Sequence, residues 1–556
     1  MLLIAFLWIY LAVLSFSYGE ALRRLLCRRI FACAPRSGLV TFLLGFAFLA
    51  WLSSLLALFV NLGLGAALAV AAGGCAAFLS LRLWETLPRG ARLLRNLHPL
   101  VLALTLTGGL VTLAYAVLPP ANPDTPLYHA QAIHWAETYP AVPGLGNLDV
   151  RQGSSSTWFT LNALFSFAFL GGQSFRVVPS FFFALVWLHL LSGLQSLLTG
   201  ETRLSQIVKA GLLPFAFWIL PREISSPGTD LPVILTYWLA LALWLDALEG
   251  GDEQTGFAAL FFALLAPTFK LSGVPLVLFV LWSAARAWRG GHYRRLGGLL
   301  GLSLLVLLPW LARTFVLSGY WLFPLPGMEH FSPRVDWAVP PARAAGAKRA
   351  VWAWSISPRD TWEYLVSLSL PARIRLWMQH QTPNQNLVAL AGLASPLVYL
   401  ALGFLKRGRA FFSSPYAGTF LLAYAGVLFW FLEAPNIRFG YGFLLGSIVL
   451  AAAPWGKLLL DALGTRRFLA VALLVFVLLG QHGKLLAGGV SSARQYALRP
   501  ADYPRAASVP CSIENATLLC AKSWRQCGYY AFPCLPKPLP DLEMRGDTPR
   551  SGFRRP

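Results

Sequence analysis

The sequence predicts an all-α polytopic membrane protein, because of its apolar composition, its repeated apolar segments and the position of its basic residues. Of its 556 residues, 57% are hydrophobic and 12% are charged, and the mean hydropathy is +0.60. A soluble globular domain carries about 25% charged residues. A chain this long and this apolar cannot bury its apolar surface in a water-soluble core. The composition therefore argues against a soluble multidomain protein.

About fourteen segments approach the ~20 apolar residues that a helix needs to cross a bilayer. The first has no basic residues before it and several after it, which favours a retained helix over a cleaved signal peptide. The predicted spans lie roughly at residues 2–17, 38–60, 64–82, 98–118, 176–198, 205–221, 231–248, 256–269, 272–287, 296–316, 386–404, 410–432, 440–456 and 467–480.

The net charge of +22 comes from short basic clusters between these segments. Such clusters beside membrane spans mark the cytoplasmic side, and they argue against a nucleic-acid partner. If the N-terminus is outside, every cluster falls inside. The sequence then predicts an extracytoplasmic N-terminus and C-terminal tail, with outer loops at 119–175 and 317–385. The clusters are Arg23-Arg24, Arg28-Arg29, Arg89 with Arg92 and Arg95, Arg286 through Arg295, Lys406-Arg407-Arg409 and Arg466-Arg467.

The predicted extracytoplasmic tail contains Cys511, Cys520, Cys527 and Cys534. An even group of cysteines in an oxidising compartment predicts two disulfides, although the sequence leaves the three possible pairings open. The spacings lack the short paired pattern of a zinc site. We therefore expect a small tail stapled by disulfides.

The first outer loop places Asp124 directly after the apolar segment 98–118. A carboxylate there lies at the membrane–water boundary, in reach of a lipid headgroup, although Asp124 is also a plausible cap of the helix that follows. Residues 125–139 predict an interfacial helix. Residues 157–170 are apolar but short for a span, so we expect a helix lying in or dipping into the outer leaflet.

Two further motifs follow in this loop. They are Pro143-Gly144-Leu145-Gly146-Asn147 with Ser155-Ser156 and Trp158-Phe159, and the stretch from Gly171 to Ser180 that leads into the next span. Together with the acidic residue at the end of a span and the interfacial helices, this layout resembles the GT-C superfamily of integral-membrane glycosyltransferases. That superfamily includes aminoarabinose transferases that act on lipid A, protein O-mannosyltransferases and oligosaccharyltransferases. The first motif set looks like an uncharacterised bacterial branch.

The resemblance covers residues 98–460 and implies three regions: accessory transmembrane helices at 1–97, a GT-C-like core at 98–480 and the tail at 481–556. It implies transfer of a sugar from a polyprenyl-phosphate donor to a glycan, lipid or protein acceptor at the outer face of a bacterial inner membrane. Membrane lipid and further membrane subunits are the expected partners.

Such an enzyme needs a carboxylate to accept the proton of the acceptor and cations to stabilise the departing phosphate. Asp124 fits the first role. Lys270 resembles a motif lysine of the aminoarabinose transferases, and Arg438 resembles a late-loop arginine of these families; the alternatives are a lysine that snorkels to the headgroups and an Arg438–Glu433 ion pair. His129 either binds phosphate or lies in the headgroup layer.

A further outer loop contains Arg222, Glu223 and Asp230. Asp230 matches best the second acidic residue that GT-C relatives often keep in this loop, and Glu223 is the alternative. Either residue, with Asp124, would position the acceptor or hold a divalent cation such as Mg²⁺ or Mn²⁺. Arg222 is a candidate for phosphate binding or for an ion pair with Glu223 or Asp230. The sequence leaves metal dependence open.

Three other functions remain open. A non-catalytic subunit of a membrane complex would retain the same shell without the chemistry. A polysaccharide polymerase or ligase would rely on arginines and histidines of outer loops, and a lipid-linked sugar transporter would show repeated halves. The second outer loop mixes tryptophans with arginines, which suits sugar stacking as well as a belt at the headgroup level.

Overall fold

A computed structural model describes residues 1–29, 38–86, 95–219, 221, 223–250, 252–523 and 525–555. The described chain is mostly helical, with short strands only near its C-terminus. The helices of the first half are α1 Leu2–Arg29, α2 Gly38–Phe59, α3 Leu64–Ser80, α4 Pro99–Ala116, α5 Ala130–Thr138, α6 Leu145–Leu148, α7 Thr157–Leu164, α8 Val177–Thr199, α9 Leu204–Ile219 and α10 Asp230–Gly250.

The second half adds ten helices and five strands among the described residues. The helices are α11 Glu253–Phe269, α12 Val277–Arg289, α13 Tyr293–Ser318, α14 Pro341–Ile356, α15 Trp362–Ser367, α16 Leu370–Gln379, α17 Pro383–Leu400, α18 Pro415–Glu433, α19 Ile437–Leu463 and α20 Arg467–Ala493. The strands are β1 Ser508–Ser512, β2 Thr517–Ala521, β3 Cys534–Leu535, β4 Glu543–Met544 and β5 Phe553–Arg554.

Ten helices in the described part of the chain are long and apolar enough to cross a membrane. The protein is therefore a membrane protein, as the composition predicts, but a count of fourteen spans is not established. Part of the difference lies in three short helices: α3 and α11 each have 17 residues, and α9 has 16. At 1.5 Å per residue such a helix rises at most about 26 Å, which is less than the ~30 Å of a hydrocarbon core. In addition, the last two predicted spans form one helical run over Ile437–Tyr496.

We expected a helix of segment 157–170 to lie in or dip into the outer leaflet, and this expectation was wrong for most of the segment. Helix α7 forms there, but every one of its residues is buried inside the protein. Its Thr160 hydroxyl lies 2.9 Å from the Ser53 hydroxyl of α2, and its N-terminal Ser156 accepts the Trp158 amide at 3.2 Å. Because α2 and α11 enclose this helix, protein surrounds it where we expected lipid.

Three long segments meet at one end of the bundle, and we call this end the loop end. They are residues 117–176, 319–382 and 494–555. Trp135 and Phe553 share an apolar cluster, the Asn147 amide donates to the Trp337 carbonyl at 2.9 Å, and Arg545 pairs with Asp336 at 2.9 Å. The α-amino group of Met1 donates to the Tyr496 and Ala497 carbonyls at 2.7 Å, so the N-terminus lies at the same end.

The tail is a small disulfide-bonded unit, as predicted. Cys511 pairs with Cys520, and Cys527 pairs with Cys534. Strands β1 and β2 are antiparallel, with Cys511 opposite Leu518, while β3 runs parallel to β2 and β4 pairs with β5.

The tail also clamps the first loop. Gly528 donates its backbone N–H to the Pro126 carbonyl at 2.9 Å, and the Gln131 amide donates to Ala531 at 2.7 Å. Arg176 is buried and donates to the carbonyls of Ser225 and Ala501 at 2.8 and 2.7 Å. The tail therefore holds the segment that follows Asp124 in place.

Candidate functional site

Asp124 is positioned by Asn122, two residues before it. Asn122 Oδ1 accepts the Asp124 backbone N–H at 2.9 Å, and Asn122 Nδ2 donates to Glu223 Oε2 at 2.8 Å. The Asn122 backbone N–H donates to Ser226 Oγ at 3.0 Å. These bonds tie the loop after α4 to the loop between α9 and α10. The loop that carries Asp124 therefore lies beside the loop that carries Glu223.

Arg438 lies in the first turn of α19. Asn436 caps this helix, because its Oδ1 accepts the Arg438 backbone N–H at 3.1 Å, and the Trp430 indole donates to the Asn436 carbonyl at 2.7 Å. A Cβ on Gly440 would lie 2.7 Å from the Trp430 ring, so the close approach of α18 to α19 requires glycine there. Gly440 thus permits the approach of α18 to the start of α19, where Arg438 lies.

Lys270 follows the end of α11 in an extended conformation, with φ −161° and ψ 141°. Ser156 Oγ donates to the Phe269 carbonyl at 2.7 Å, which holds the backbone next to Lys270. After Lys270 the chain turns tightly back onto α11, and a Cβ on Gly273 would lie 2.5 Å from the Ala266 carbonyl carbon. Only glycine fits this turn.

Four charged side chains from these elements form one continuous series of contacts at the loop end. Arg438 Nη2 lies 3.1 Å from Asp124 Oδ2, and Arg438 Nε lies 3.8 Å from Asp230 Oδ2. Lys270 Nζ lies 2.5 Å from Asp230 Oδ1. We call Asp124, Asp230, Lys270 and Arg438 the charged quartet. Asp230 is 7% exposed, whereas the other three side chains are 23–24% exposed, so solvent reaches the quartet.

These contacts decide between alternatives that the sequence left open. The Asp124 side chain makes no capping hydrogen bond to the turn that follows it, so the cap interpretation is wrong. Glu433 pairs with Lys348 at 3.2 Å instead of Arg438, so that ion pair is wrong too. Lys270 pairs with Asp230 rather than extending away from the protein.

Two aromatic rings that sequence reasoning did not link to the cations also contact them. Lys270 Nζ lies 3.5 Å from the centre of the Phe439 ring, and the Arg438 guanidinium carbon lies 5.5 Å from the centre of the Trp354 ring. Both distances are within the range of cation–π attraction. The position of Phe439 directly after Arg438 was a usable signal. Trp354 is one of the tryptophans of the second predicted outer loop, which the sequence assigned as a group to sugar stacking or to a headgroup belt, without a link to Arg438.

His129 is buried at 2% exposure and packs against the Tyr128 and Phe159 rings, so it does not lie in a headgroup layer. Burial lowers its pKa to about 4, although the charges of Asp124 and Asp230 oppose this shift. Burial therefore favours the neutral form of His129 in this structure. Its Nδ1 has no hydrogen-bond partner within the described ranges.

Glu223 is the third carboxylate at this place. Burial, followed by the charge of Asp230, raises its pKa, while the hydrogen bond from Asn122 opposes the shift. Arg222 lies outside the described residues, so its predicted role has no structural outcome. Among the residues that are described, no group of three or more His, Cys, Asp or Glu side chains has the arrangement of a metal site.

The model of one protein family, described as Domain of unknown function (DUF8201), matches residues 1–445. The chain belongs to this family. The matched region contains the whole charged quartet and also the N-terminal helices α1–α3, and it ends before the tail with the two disulfides. No curated protein and no solved structure matches the chain.

Proposed function

We propose that this protein is a GT-C-type glycosyltransferase that moves a sugar from a polyprenyl-phosphate donor to an acceptor. The proposal includes a bundle of about fourteen membrane-crossing helices. The loop end faces the outside of a bacterial inner membrane, where the two tail disulfides would be stable. The observation that carries the proposal is the charged quartet, in which Asp124 contacts Arg438 and Asp230 contacts both Arg438 and Lys270.

The reaction assigns one role to each part of the quartet. The acceptor oxygen attacks C1 of the donor sugar and forms the new glycosidic bond, while the bond from C1 to the phosphate oxygen breaks. The proton of the acceptor goes to the Asp124 carboxylate. The electron pair of the broken bond goes to the phosphate, whose charge Lys270 and Arg438 stabilise. Arg438 can grip two phosphate oxygens at once.

The resting contacts support this division because they are exchangeable. In the quartet two carboxylates neutralise two cations, so a phosphate that enters would compete for Arg438 and Lys270. Binding of the donor would therefore release the Asp124 carboxylate from Arg438 at the moment when a base is needed. A neutral His129, whose ring lies beside this place, would donate a hydrogen bond to phosphate rather than a charge.

The donor set favours cations of the protein over a divalent metal. Asp124 and Asp230 are the carboxylates closest to the expected phosphate, and each already contacts a basic side chain. A dication would have to displace Arg438 and Lys270 from the oxygens that it needs. We therefore assign charge stabilisation to the two basic residues and no step to Mg²⁺ or Mn²⁺.

The test compares Asp124→Asn with Asp547→Asn, which removes an exposed carboxylate of the tail. Each variant is expressed as the full chain in the native host after deletion of the gene, and lipid extracts are analysed by mass spectrometry. We expect the deletion strain and Asp124→Asn to accumulate the same polyprenyl-phosphate sugar. Asp547→Asn should match the wild type.

The other outcomes separate the rival functions. If the deletion strain accumulates the lipid but Asp124→Asn does not, the protein is a non-catalytic subunit or uses another base. If a polyprenyl-diphosphate oligosaccharide accumulates instead, a polymerase or ligase is indicated. If no lipid-linked sugar changes in the deletion strain, the proposed function is wrong.

A further inference from the structure

A groove of about 490 Å³ runs between α14 and α15 at the loop end. This volume lies within the range of small-molecule sites, which is about 300–1,000 Å³. Its walls combine two tryptophans, two carboxylates and hydroxyl groups. The residues that the following argument uses are Arg349, Trp354, Ser357, Asp360, Trp362 and Glu363.

The groove adjoins the charged quartet. Trp354 lines the groove and also lies over the Arg438 guanidinium at 5.5 Å. Two further contacts hold this region against the start of α19: the Trp377 indole donates to the Pro435 carbonyl at 2.6 Å, and Lys348 pairs with Glu433 at 3.2 Å. A molecule in the groove therefore has one end beside the side chain that contacts Asp124.

The polar groups of the groove are held in fixed positions. Ser357 is fully buried, and its hydroxyl donates to Asp360 Oδ2 at 2.5 Å while lying 3.1 Å from His380 Nε2. The Arg349 guanidinium carbon lies 5.3 Å from the centre of the Trp362 ring, which fixes that ring from one side. A fixed aromatic face and a fixed carboxylate are suited to bind a ligand with little loss of conformational entropy.

We propose that this groove binds the acceptor and that the acceptor is a carbohydrate; this inference rests on the proposed function. A pyranose ring presents C–H bonds on one face, which pack on an indole, and hydroxyls at its edge, which donate to carboxylates. Asp360 and Glu363 outnumber Arg349 in the lining, so the charge of the groove disfavours a phosphate or another anion and the lipid donor does not bind here. The donor phosphate belongs at Lys270 and Arg438, and the groove supplies the hydroxyl from the other side of Asp124.

The test measures saturation-transfer NMR with the full chain in nanodiscs. The sugar probes are methyl α-mannopyranoside, methyl β-glucopyranoside, methyl β-galactopyranoside and N-acetylglucosamine, and a pool of short peptides containing serine and threonine is the comparison. We expect saturation of ring C–H protons in at least one sugar. Trp362→Ala should reduce this signal about fivefold or more, since an aromatic contact contributes about 1 kcal/mol.

The matched control is Tyr364→Ala, which removes a ring of α15 that is 50% exposed and does not line the groove. It should leave the signal unchanged. Saturation of no sugar, equal signals in wild type and Trp362→Ala, or saturation of the peptides alone would each overturn the proposal. Asp124→Asn should still bind sugar, so loss of the proposed function and loss of the groove proposal are separate results.

Discussion

Helix α10 carries an aspartate near each end, and each pairs with a lysine, yet the two surroundings differ. At the loop end Asp230 pairs with Lys270 at 2.5 Å. Near the opposite end Asp246 pairs with Lys209 at 2.8 Å, and His189 Nε2 lies 3.7 Å away. We call Asp246, Lys209 and His189 the inner group; these residues lie within α10, α9 and α8. We call the charged quartet the outer group; its residues lie at helix ends and in the loop that carries Asp124.

The difference lies in the access of the cations and not in the presence of buried charge. Lys209 is 4% exposed and Lys270 is 24% exposed, whereas their partners Asp246 and Asp230 are 20% and 7% exposed. Charged groups among membrane helices are costly, so both groups need internal compensation. Both groups contain ion pairs that neutralise their charges, so an ion pair alone does not distinguish a ligand-binding site from a structural contact. The outer group differs because solvent reaches three of its side chains and because a groove adjoins it.

The largest effect in this comparison is expected at Lys270. Under the proposed function, Lys270→Met removes a cation that stabilises the departing phosphate, and one such group contributes about 10²- to 10³-fold in rate. We expect the lipid-linked donor to accumulate as in the deletion strain. The midpoint of thermal unfolding should fall less than in Lys209→Met, because Arg438 still lies 3.8 Å from Asp230. Native mass spectrometry with added polyprenyl monophosphate should show weaker binding of that lipid.

The control is Lys537→Met, which removes an exposed lysine of the tail. It should leave both lipid binding and donor accumulation at wild-type values. If Lys270→Met binds polyprenyl monophosphate as well as the wild type does, Lys270 has the same structural character as Lys209, and the contrast between the two ends fails.

Lys209→Met should have the opposite profile. It leaves Asp246 without its lysine inside the bundle, and loss of one partner of a buried ion pair costs about 3 kcal/mol or more. We expect a lower midpoint of thermal unfolding, with donor turnover per folded molecule preserved. Thermal unfolding in detergent, followed by tryptophan fluorescence, measures the first quantity.

The double variant Lys209→Met with Asp246→Leu makes this prediction sharper. Replacing both charges by apolar groups should restore most of the stability, since a buried ion pair and an apolar pair of similar size are often equivalent. A double variant as unstable as Lys209→Met would show that the Asp246 contacts with His189 and Gln206 matter more than the lysine does.

The sequence predicted the members of the outer group better than their contacts. Asp124, Lys270 and Arg438 stand out because each is an ionisable residue beside an apolar segment, which is costly without a reason. Their mutual distances are not readable from spacing, because Asp124 and Arg438 are 314 residues apart. The burial of His129 was missed for a related reason: the covering ring of Phe159 comes from α7, which the sequence placed in the lipid leaflet.

For the fold, the length of the apolar segments predicted the long helices and the tail cysteines predicted two disulfides, because both signals are local. The position of α7 inside the protein depends on helices that are distant from it in the sequence. A short apolar helix is compatible with lipid or with a protein interior, and only the packing of α2 and α11 around it decides. The contact of the tail with Pro126 was also unpredictable, since it is a backbone hydrogen bond from Gly528.

The smallest expected effect is a pH dependence at Glu223. Its pKa is raised by burial, so the folded protein keeps this proton at pH values where the unfolded chain, with an ordinary pKa of about 4.3, has released it. The free energy of unfolding should therefore fall as the pH rises from about 4 through the raised pKa of Glu223. Glu223→Gln removes this titration and can still accept the Asn122 hydrogen bond.

We expect the thermal midpoint of the wild type to fall more than that of Glu223→Gln between pH 4 and pH 7, and Glu514→Gln, at an exposed tail position, should follow the wild type. Parallel curves for wild type and Glu223→Gln would mean that Glu223 is as solvated as a surface carboxylate. In that case the loop between α9 and α10 would open to water, and the contact of Asn122 with Glu223 could not position Asp124. The pH curve of this one carboxylate thus tests whether the outer group is as ordered as the inner group at the other end of α10.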